Sequence, residues 1–365
     1  MIPAAPLREI AAAEGFDWFG AARPEPLDEE RGRFAAWLAE GRHGDMAWLA
    51  EKPARRADPS AVLESCRSVI VLGMNYLREE VPRGAPPPQT AGLGRISRYA
   101  RTRDYHRVIE KALRRIARAI DRDLAPGSRS LGYVDYGPVM ERPWAARAGL
   151  GFIGKHTLLI NPAEGSFHFL GAILTTAEFE PSAVEPPTAG CGDCRRCLDA
   201  CPTGAITEPW RLDARRCLSY LTIEKKGPIE EEFWPLTEGF VFGCDICQDV
   251  CPYNRTRAQP TAESPLGGAL VPAEVRLAEL IARPAEFLAR LGETSSPLKR
   301  AGAESLARNA LIAATTAPTE ETLAAAMELS HSKLSPDWLV QTAAQSAMRQ
   351  AARLAGINAD ENDAG

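Results

Sequence analysis

Apolar positions recur at mixed spacings of three and four through LREIAAAEGF and EERGRFAAWLAEGRHGDMAWLAE, which predicts helices over residues 1 to about 50. ESCRSVIVLGMNYL then carries an unbroken apolar run rich in Val and Ile, the pattern of a buried strand from about Ser68. VPRGAPPPQTAGLG reads as a Pro/Gly loop. In DYHRVIEKALRRIARAIDRDL the period is helical and amphipathic, with Val108, Leu113, Ile116 and Ile120 predicted to face inward and Arg and Lys outward. From Ser130 to Pro181 the chain alternates short apolar runs with Gly-rich turns, which predicts strands. EPSAVEPPTAGCG resembles a linker into a separate module that runs to about Arg257, and TRAQPTAESPLGG a second linker. From about Glu274 to near Gly356 the chain is Ala- and Leu-rich and helical, suited to one or two helix pairs of a solenoid. ADENDAG reads as a frayed tail. The expectation is an α+β protein of three units, residues 1–183, 184–260 and 261–365.

Composition narrows the class. The chain has 365 residues, 45% apolar and 25% charged, which excludes a collagen, a coiled coil and a disordered tail. Its net charge of −5 supplies no global basic field for nucleic acid. Such contact is left to local patches: RISRYARTRDYHR, ARR at 54–56, EKK at 224–226 and YNRTR at 253–257. No run of ~20 apolar residues spans a membrane. The start lacks a basic stretch leading into an apolar core, and no twin-Arg motif is read, so a cytoplasmic protein is expected. No pairing surface is legible, which makes a monomer the default.

Nine cysteines change the picture most, because eight fall between Cys191 and Cys251. CGDCRRCLDACP places Cys191, Cys194, Cys197 and Cys201 in the C-x2-C-x2-C-x3-C-P run of bacterial ferredoxins. CDICQDVCP adds Cys244, Cys247 and Cys251, and Cys217 lies between the two runs. In that motif three close thiolates wrap one cubane while the fourth cysteine serves the other cluster. The crossed assignment gives Cys191, Cys194, Cys197 and Cys251 to cluster 1, and Cys201, Cys217, Cys244 and Cys247 to cluster 2. Structural zinc also uses C-x2-C pairs, but the triple run ending in Cys-Pro favours two 4Fe–4S clusters. Cys66 stands apart as a core thiol.

In front of the cysteines the chain resembles the epoxyqueuosine reductase family. Asp135-Tyr136-Gly137-Pro138, ERPWAARAGLGFIGKHTLLI, GSFHFLGAILT, the two cysteine runs and SPLKRAGAESLARNALIA carry the likeness, which covers most of the chain. RYARTRDYHRVI and YNRTR add to it. The resemblance implies a cobalamin-binding first domain like that of reductive dehalogenases, a two-cluster ferredoxin-like module and helical, HEAT-like repeats that help hold tRNA. It implies reduction of an epoxide to an alkene on a wobble-position base, the last step of queuosine synthesis.

An acid must protonate the opening ring oxygen, and Asp135 is the natural candidate. A carboxyl held neutral by an apolar corrin face would have a raised pKa. An aspartate ahead of Tyr-Gly-Pro equally suits a turn that ties its own backbone. Gly149, Gly151 and Gly154 let the backbone approach a flat ligand, and Lys155, His156 and Thr157 follow as cofactor contacts. His156 is expected to hydrogen-bond rather than ligate cobalt. Arg56, Ser97, Tyr99, His106, Ser219 and Asp245 are further cofactor candidates. Lys225 and Lys226 are tRNA candidates, and Tyr99, Tyr105 or Tyr220 could stack on a splayed base. An electron donor of flavodoxin or ferredoxin type completes the scheme. Two alternatives stand beside it: a corrinoid reductive dehalogenase, and a ferredoxin-type electron carrier with no substrate of its own.

Overall fold

The Val- and Ile-rich run after Cys66 forms the spine of a four-stranded antiparallel sheet. Ser68–Asn75 pairs with Trp18–Ala22 on one side and His168–Thr175 on the other, and Ser130–Tyr133 closes the far edge. The computed structural model describes residues 1–82, 88–183, 189–261, 263–292 and 296–357. The frayed tail expected at 359–365, and parts of the expected Pro/Gly loop and of both linkers, lie outside the described residues.

Both faces of the sheet are covered. Ile70, Leu72 and Met74 pack with Ile109, Leu113 and Ile116 of the helix Tyr105–Ala119. Val69 and Val71 pack on the other side with Trp144 of the helix Glu141–Arg147. Burial on both faces removes the need for polar alternation, so the central strand reads as a continuous apolar run. Gly132 and Gly171 let the long helix lie close, since a Cβ at Gly132 would sit 2.8 Å from that of Leu113.

The structure departs from the sequence expectation in three elements. Trp18–Ala22 is a strand, not a continuation of helix, because Ser68–Asn75 supplies its ladder partner. Glu141–Arg147 is a helix inside a stretch expected to be strands and turns; its Trp144 fills the sheet face. On the long helix Ile109 is buried, whereas Val108 is only partly covered.

A second sheet draws on three distant segments. Leu93–Ile96 runs between Phe240–Phe242, which is parallel to it, and the antiparallel Glu274–Arg276. Its apolar residues merge with those of the C-terminal helices Leu277–Ala282, Ala303–Ala314, Glu320–Ser330 and Asp337–Leu354. Arg308 fastens this helical segment to the cysteine-bearing segment. It is 0% exposed and donates to the carbonyls of Leu221, Lys225 and Gly227. Asn309 beside it donates to the carbonyls of Thr222 and Val241. Burial pushes the Arg308 guanidinium down to about 10, so it stays charged at neutral pH. Arg308→Met would strand several buried acceptors. A loss of about 3 kcal/mol in unfolding free energy is expected in a urea titration. An unchanged midpoint and slope would show that those carbonyls find other partners.

Candidate active site and cysteine cavities

Where the strand Ser130–Tyr133 ends, the chain turns sharply and Asp135 adopts φ 56°. Few side chains accept that left-handed conformation, and aspartate is one. The Tyr105 hydroxyl donates to Asp135 Oδ2 at 2.6 Å, and His106 Nε2 lies 3.0 Å from the same oxygen. His106 Nδ1 lies 2.7 Å from Asp104, the residue that caps the long helix. Solvent reaches 58% of the Asp135 side chain, yet Tyr105, His106 and Glu141 surround it. It therefore stands in a solvent-open cleft walled in part by these three side chains.

The electrostatics differ from the expected raised carboxyl. Burial pushes Asp135 up, but hydrogen bonds from His106 and Tyr105 outweigh it and hold the carboxyl below its ordinary value. The cause is the paired donors, which stabilise the anion more than the cleft walls destabilise it. Burial also disfavours the charged form of His106, but Asp104 and Asp135 prevail and raise it to about 9. At neutral pH the site holds an imidazolium between two carboxylates. A histidine raised in the folded state contributes stability that is complete below its unfolded value of ~6.5 and is lost as pH rises through about 9. Unfolding free energy should therefore fall from pH 6.5 to 9, and His106→Gln should flatten that part of the curve. A variant curve parallel to the wild type would place the titrating group elsewhere.

Two residues beside Asp135 had no role assigned from sequence. Burial and the Asp135 charge raise the Glu141 carboxyl to about 8, and it accepts from the Asp135 backbone. One of its oxygens is buried with no partner. Arg142 donates to the Thr157 carbonyl at 2.6 Å. Burial lowers its pKa against the pull of Glu141 and Asp135. The signal was present as ERPW, but nothing in that motif by itself distinguishes a helix start from a site wall.

Next to the Asp135 turn, a pocket of about 240 Å³ is lined by Trp48, Lys52, Arg55, Arg56, Tyr136 and Pro138, with Glu51 at its side. Arg56 donates to the Gly137 carbonyl at 3.0 Å, which ties this pocket to the turn. Its Nε and the Trp48 indole nitrogen are buried without partners. Two unsatisfied donors in a basic pocket suit a ligand edge rich in oxygen acceptors. Tyr99 stands edge-on to Tyr105 with centroids 6.3 Å apart, and Ser97 Oγ is buried with no partner.

The eight clustered cysteines separate into two groups. Cys191, Cys194, Cys197 and Cys251 line one cavity of about 260 Å³, together with His156, Ile160, Arg196 and Tyr253. The thiols of Cys201, Cys217, Cys244 and Cys247 lie close enough to oppose one another's ionisation. Burial first, and then neighbouring thiols, push Cys197, Cys244 and Cys247 above the ordinary thiol value. Such a setting favours thiolates only when a cation offsets their charge. Among the described residues no three metal-binding side chains converge on one point. Thiols spread around a cavity fit a multi-iron cubane better than a single tetrahedral zinc ion. Cys66 is buried in the sheet core, with its Sγ 3.5 Å from the Ser68 carbonyl.

Several sequence candidates fall elsewhere than the Asp135 cleft. Lys155 turns its ammonium onto the carbonyls of Gly192 and Cys194, and His156 lines the cysteine cavity. Thr157, at φ 70°, faces Arg142. Ser219 sits beside the Cys217 thiol. Asp245 is buried and accepts from the Arg98 backbone and guanidinium. Lys226 donates to the carbonyls of Ile223, Arg300 and Ala301, and Lys225 pairs with Glu230 at 2.8 Å. Both lysines are thus held by partners within the protein.

Residues 190–254 match the family described as 4Fe-4S double cluster binding domain. Fold and site together define an α+β iron–sulfur oxidoreductase. Residues 56–135 match the family described as Epoxyqueuosine reductase QueG, DUF1730. An epoxyqueuosine reductase of Xanthomonas campestris is 38% identical over 89% of this chain and 90% of its own. A crystal structure of epoxyqueuosine reductase with an epoxyqueuosine-modified tRNA-Tyr stem loop superposes with a TM-score of 0.83 at 28% identity. It covers 95% of this chain and 89% of its own. A Bacillus subtilis epoxyqueuosine reductase, described with an aspartate catalytic loop swung out of the active site, gives 0.81 at 27% identity over 98% and 95%. The chain belongs to the epoxyqueuosine reductase family.

Proposed function

We propose that the chain reduces epoxyqueuosine to queuosine at the wobble position of tRNA, with Asp135 supplying a proton. The observation that carries this is the Asp135 carboxyl on its left-handed turn, open to solvent and tied to Tyr105 and His106. The relative bound to a modified tRNA stem loop and the relative with an aspartate catalytic loop support the reading.

Converting the epoxide to an alkene consumes two electrons and two protons and releases water. Cys191, Cys194, Cys197 and Cys251 would hold one 4Fe–4S cluster, and Cys201, Cys217, Cys244 and Cys247 the other. Arg56, Ser97, Tyr99 and the Asp135 cleft would hold cobalamin, since the unpaired donors of Arg56 and Ser97 match the amide carbonyls on its rim. The clusters would supply single electrons and cobalamin would deliver them to carbon. The protein's own part is proton supply. Asp135 Oδ2 is engaged by Tyr105 and His106, which leaves Oδ1 to the cleft and the substrate oxygen. In the solvent-open cleft Asp135 is ionised and the neighbouring His106 imidazolium holds the proton. An apolar corrin face laid over the cleft would raise the carboxyl, so that the shared proton passes to Asp135 and from it to the epoxide oxygen. Glu141 and Arg142 position the turn.

We retain three units with boundaries at 183/184 and 260/261, the last of HEAT-like helix pairs. A monomer in the cytoplasm served by a flavodoxin- or ferredoxin-type donor completes the reading. A ferredoxin-type carrier would need no such cleft beside its clusters. The test is anaerobic incubation of the cluster- and cobalamin-loaded protein with epoxyqueuosine-containing tRNA and a reductant, followed by nucleoside mass analysis. Queuosine is the expected product. Its absence from a protein that carries both kinds of cofactor would overturn the assignment.

A further inference from the structure

His156 is a buried histidine with half of its hydrogen bonding unaccounted for. It is 4% exposed, and its Nδ1 accepts the Leu158 backbone N–H at 3.2 Å. A ring nitrogen that accepts carries no hydrogen, so in the neutral ring the hydrogen is on Nε2. That Nε2 is buried and has no partner. The side chain lines the same cavity as Cys191, Cys194, Cys197 and Cys251. Among the described residues lining this cavity, His156 alone has a buried polar side-chain atom without a partner. The Tyr253 hydroxyl in the same cavity is engaged, donating to the Gly190 carbonyl at 3.1 Å. The adjacent Lys155 backbone N–H points at Cys191 Sγ, 3.4 Å away, and the Lys155 ammonium pins the Gly192 and Cys194 carbonyls. The Lys155–His156 turn is therefore built against one cluster site.

We propose that His156 donates a hydrogen bond from Nε2–H to a sulfur of the cluster held by Cys191, Cys194, Cys197 and Cys251, and thereby raises that cluster's reduction potential. The inference rests on the cluster reading above. Ligation of iron by this nitrogen would require the ring to lose its remaining hydrogen while Nδ1 still accepts from Leu158, so donation is the role the geometry leaves open. The direction follows from charge. A hydrogen bond to sulfur strengthens as the cluster gains an electron, so it stabilises the reduced form. Burial keeps water from taking over the donor's part.

The experiment is an EPR-monitored redox titration of the reconstituted full chain, with iron measured on the same sample. His156→Leu removes the donor, and one of the two midpoints should fall by about tenfold in the one-electron equilibrium, ~59 mV. The other midpoint should not move. His156→Gln restores an N–H at similar reach and should recover most of the shift. With iron near eight per chain, as two cubanes require, unchanged midpoints in His156→Leu would overturn the proposal while leaving the cluster reading intact. A wild-type protein that takes up no iron would overturn the cluster reading itself. Pulsed EPR of the reduced wild type in D₂O gives a readout independent of the Leu variant's folding. It should show an exchangeable deuteron coupled to one cluster that His156→Gln retains, and its absence would overturn the proposal.

Discussion

Asp135→Asn is expected to fold, hold both clusters and bind cobalamin, yet turn over about 10²–10⁴ times more slowly, the usual worth of a positioned general acid. Asparagine tolerates the φ of 56° at this turn and can still accept from Tyr105, so geometry is preserved. It cannot pass on a proton. It also removes one of the two carboxylates that raise His106 to about 9, so the imidazolium should lose its proton at lower pH. The wild-type rate should decline above about pH 9 as His106 loses the shared proton, and single-turnover assays across pH would reveal that limb. Near-normal reduction by Asp135→Asn would move the acid to another group, with Tyr105 the nearest. Loss of cobalamin from the variant, visible in its spectrum, would make Asp135 a binding residue.

What the sequence disclosed depends on how local the cause is. The cysteine runs are legible because sulfurs a few residues apart must converge in space. The central strand is legible because burial on both faces leaves one uninterrupted apolar run. Trp18–Ala22 was not, because WFGAA becomes a strand only by pairing with Ser68–Asn75. Asp135 could be named, but its ionisation could not, since that is set by Tyr105 and His106 from a different element. Lys226 shows the same limit in the opposite sense. EKK reads as a solvated basic patch, but three carbonyls take the Lys226 ammonium, two of them from residues over seventy positions away. His156 and Lys155 fall in a Gly-rich segment that suggests a flat ligand, and only the fold shows that they turn toward the Cys191–Cys194 loop.

Cys217→Ser should cost one cluster and leave the other. Cys217 ends the turn Ala214–Arg216 and starts the helix Leu218–Ile223, so its side chain is aimed by two short elements. Thr222 on that helix accepts the Gly243 backbone N–H at 2.9 Å, which brings the Cys244 loop alongside despite the sequence separation. The Cys217 thiol is pushed up by burial and by Cys201, against hydrogen bonds from the backbone of Tyr220 and Ser219. Serine would occupy the same space, but a hydroxyl is a harder and far weaker acid than a thiol, and soft thiolate is what iron–sulfur clusters select. Iron should fall from about eight to about four per chain after anaerobic reconstitution, with one of two EPR signals lost. Turnover should fall as well, because electron delivery would lack one of the two clusters. Retention of both signals would remove Cys217 from the ligand set and leave the second cluster seeking its fourth ligand among the neighbours of Cys244 and Cys247.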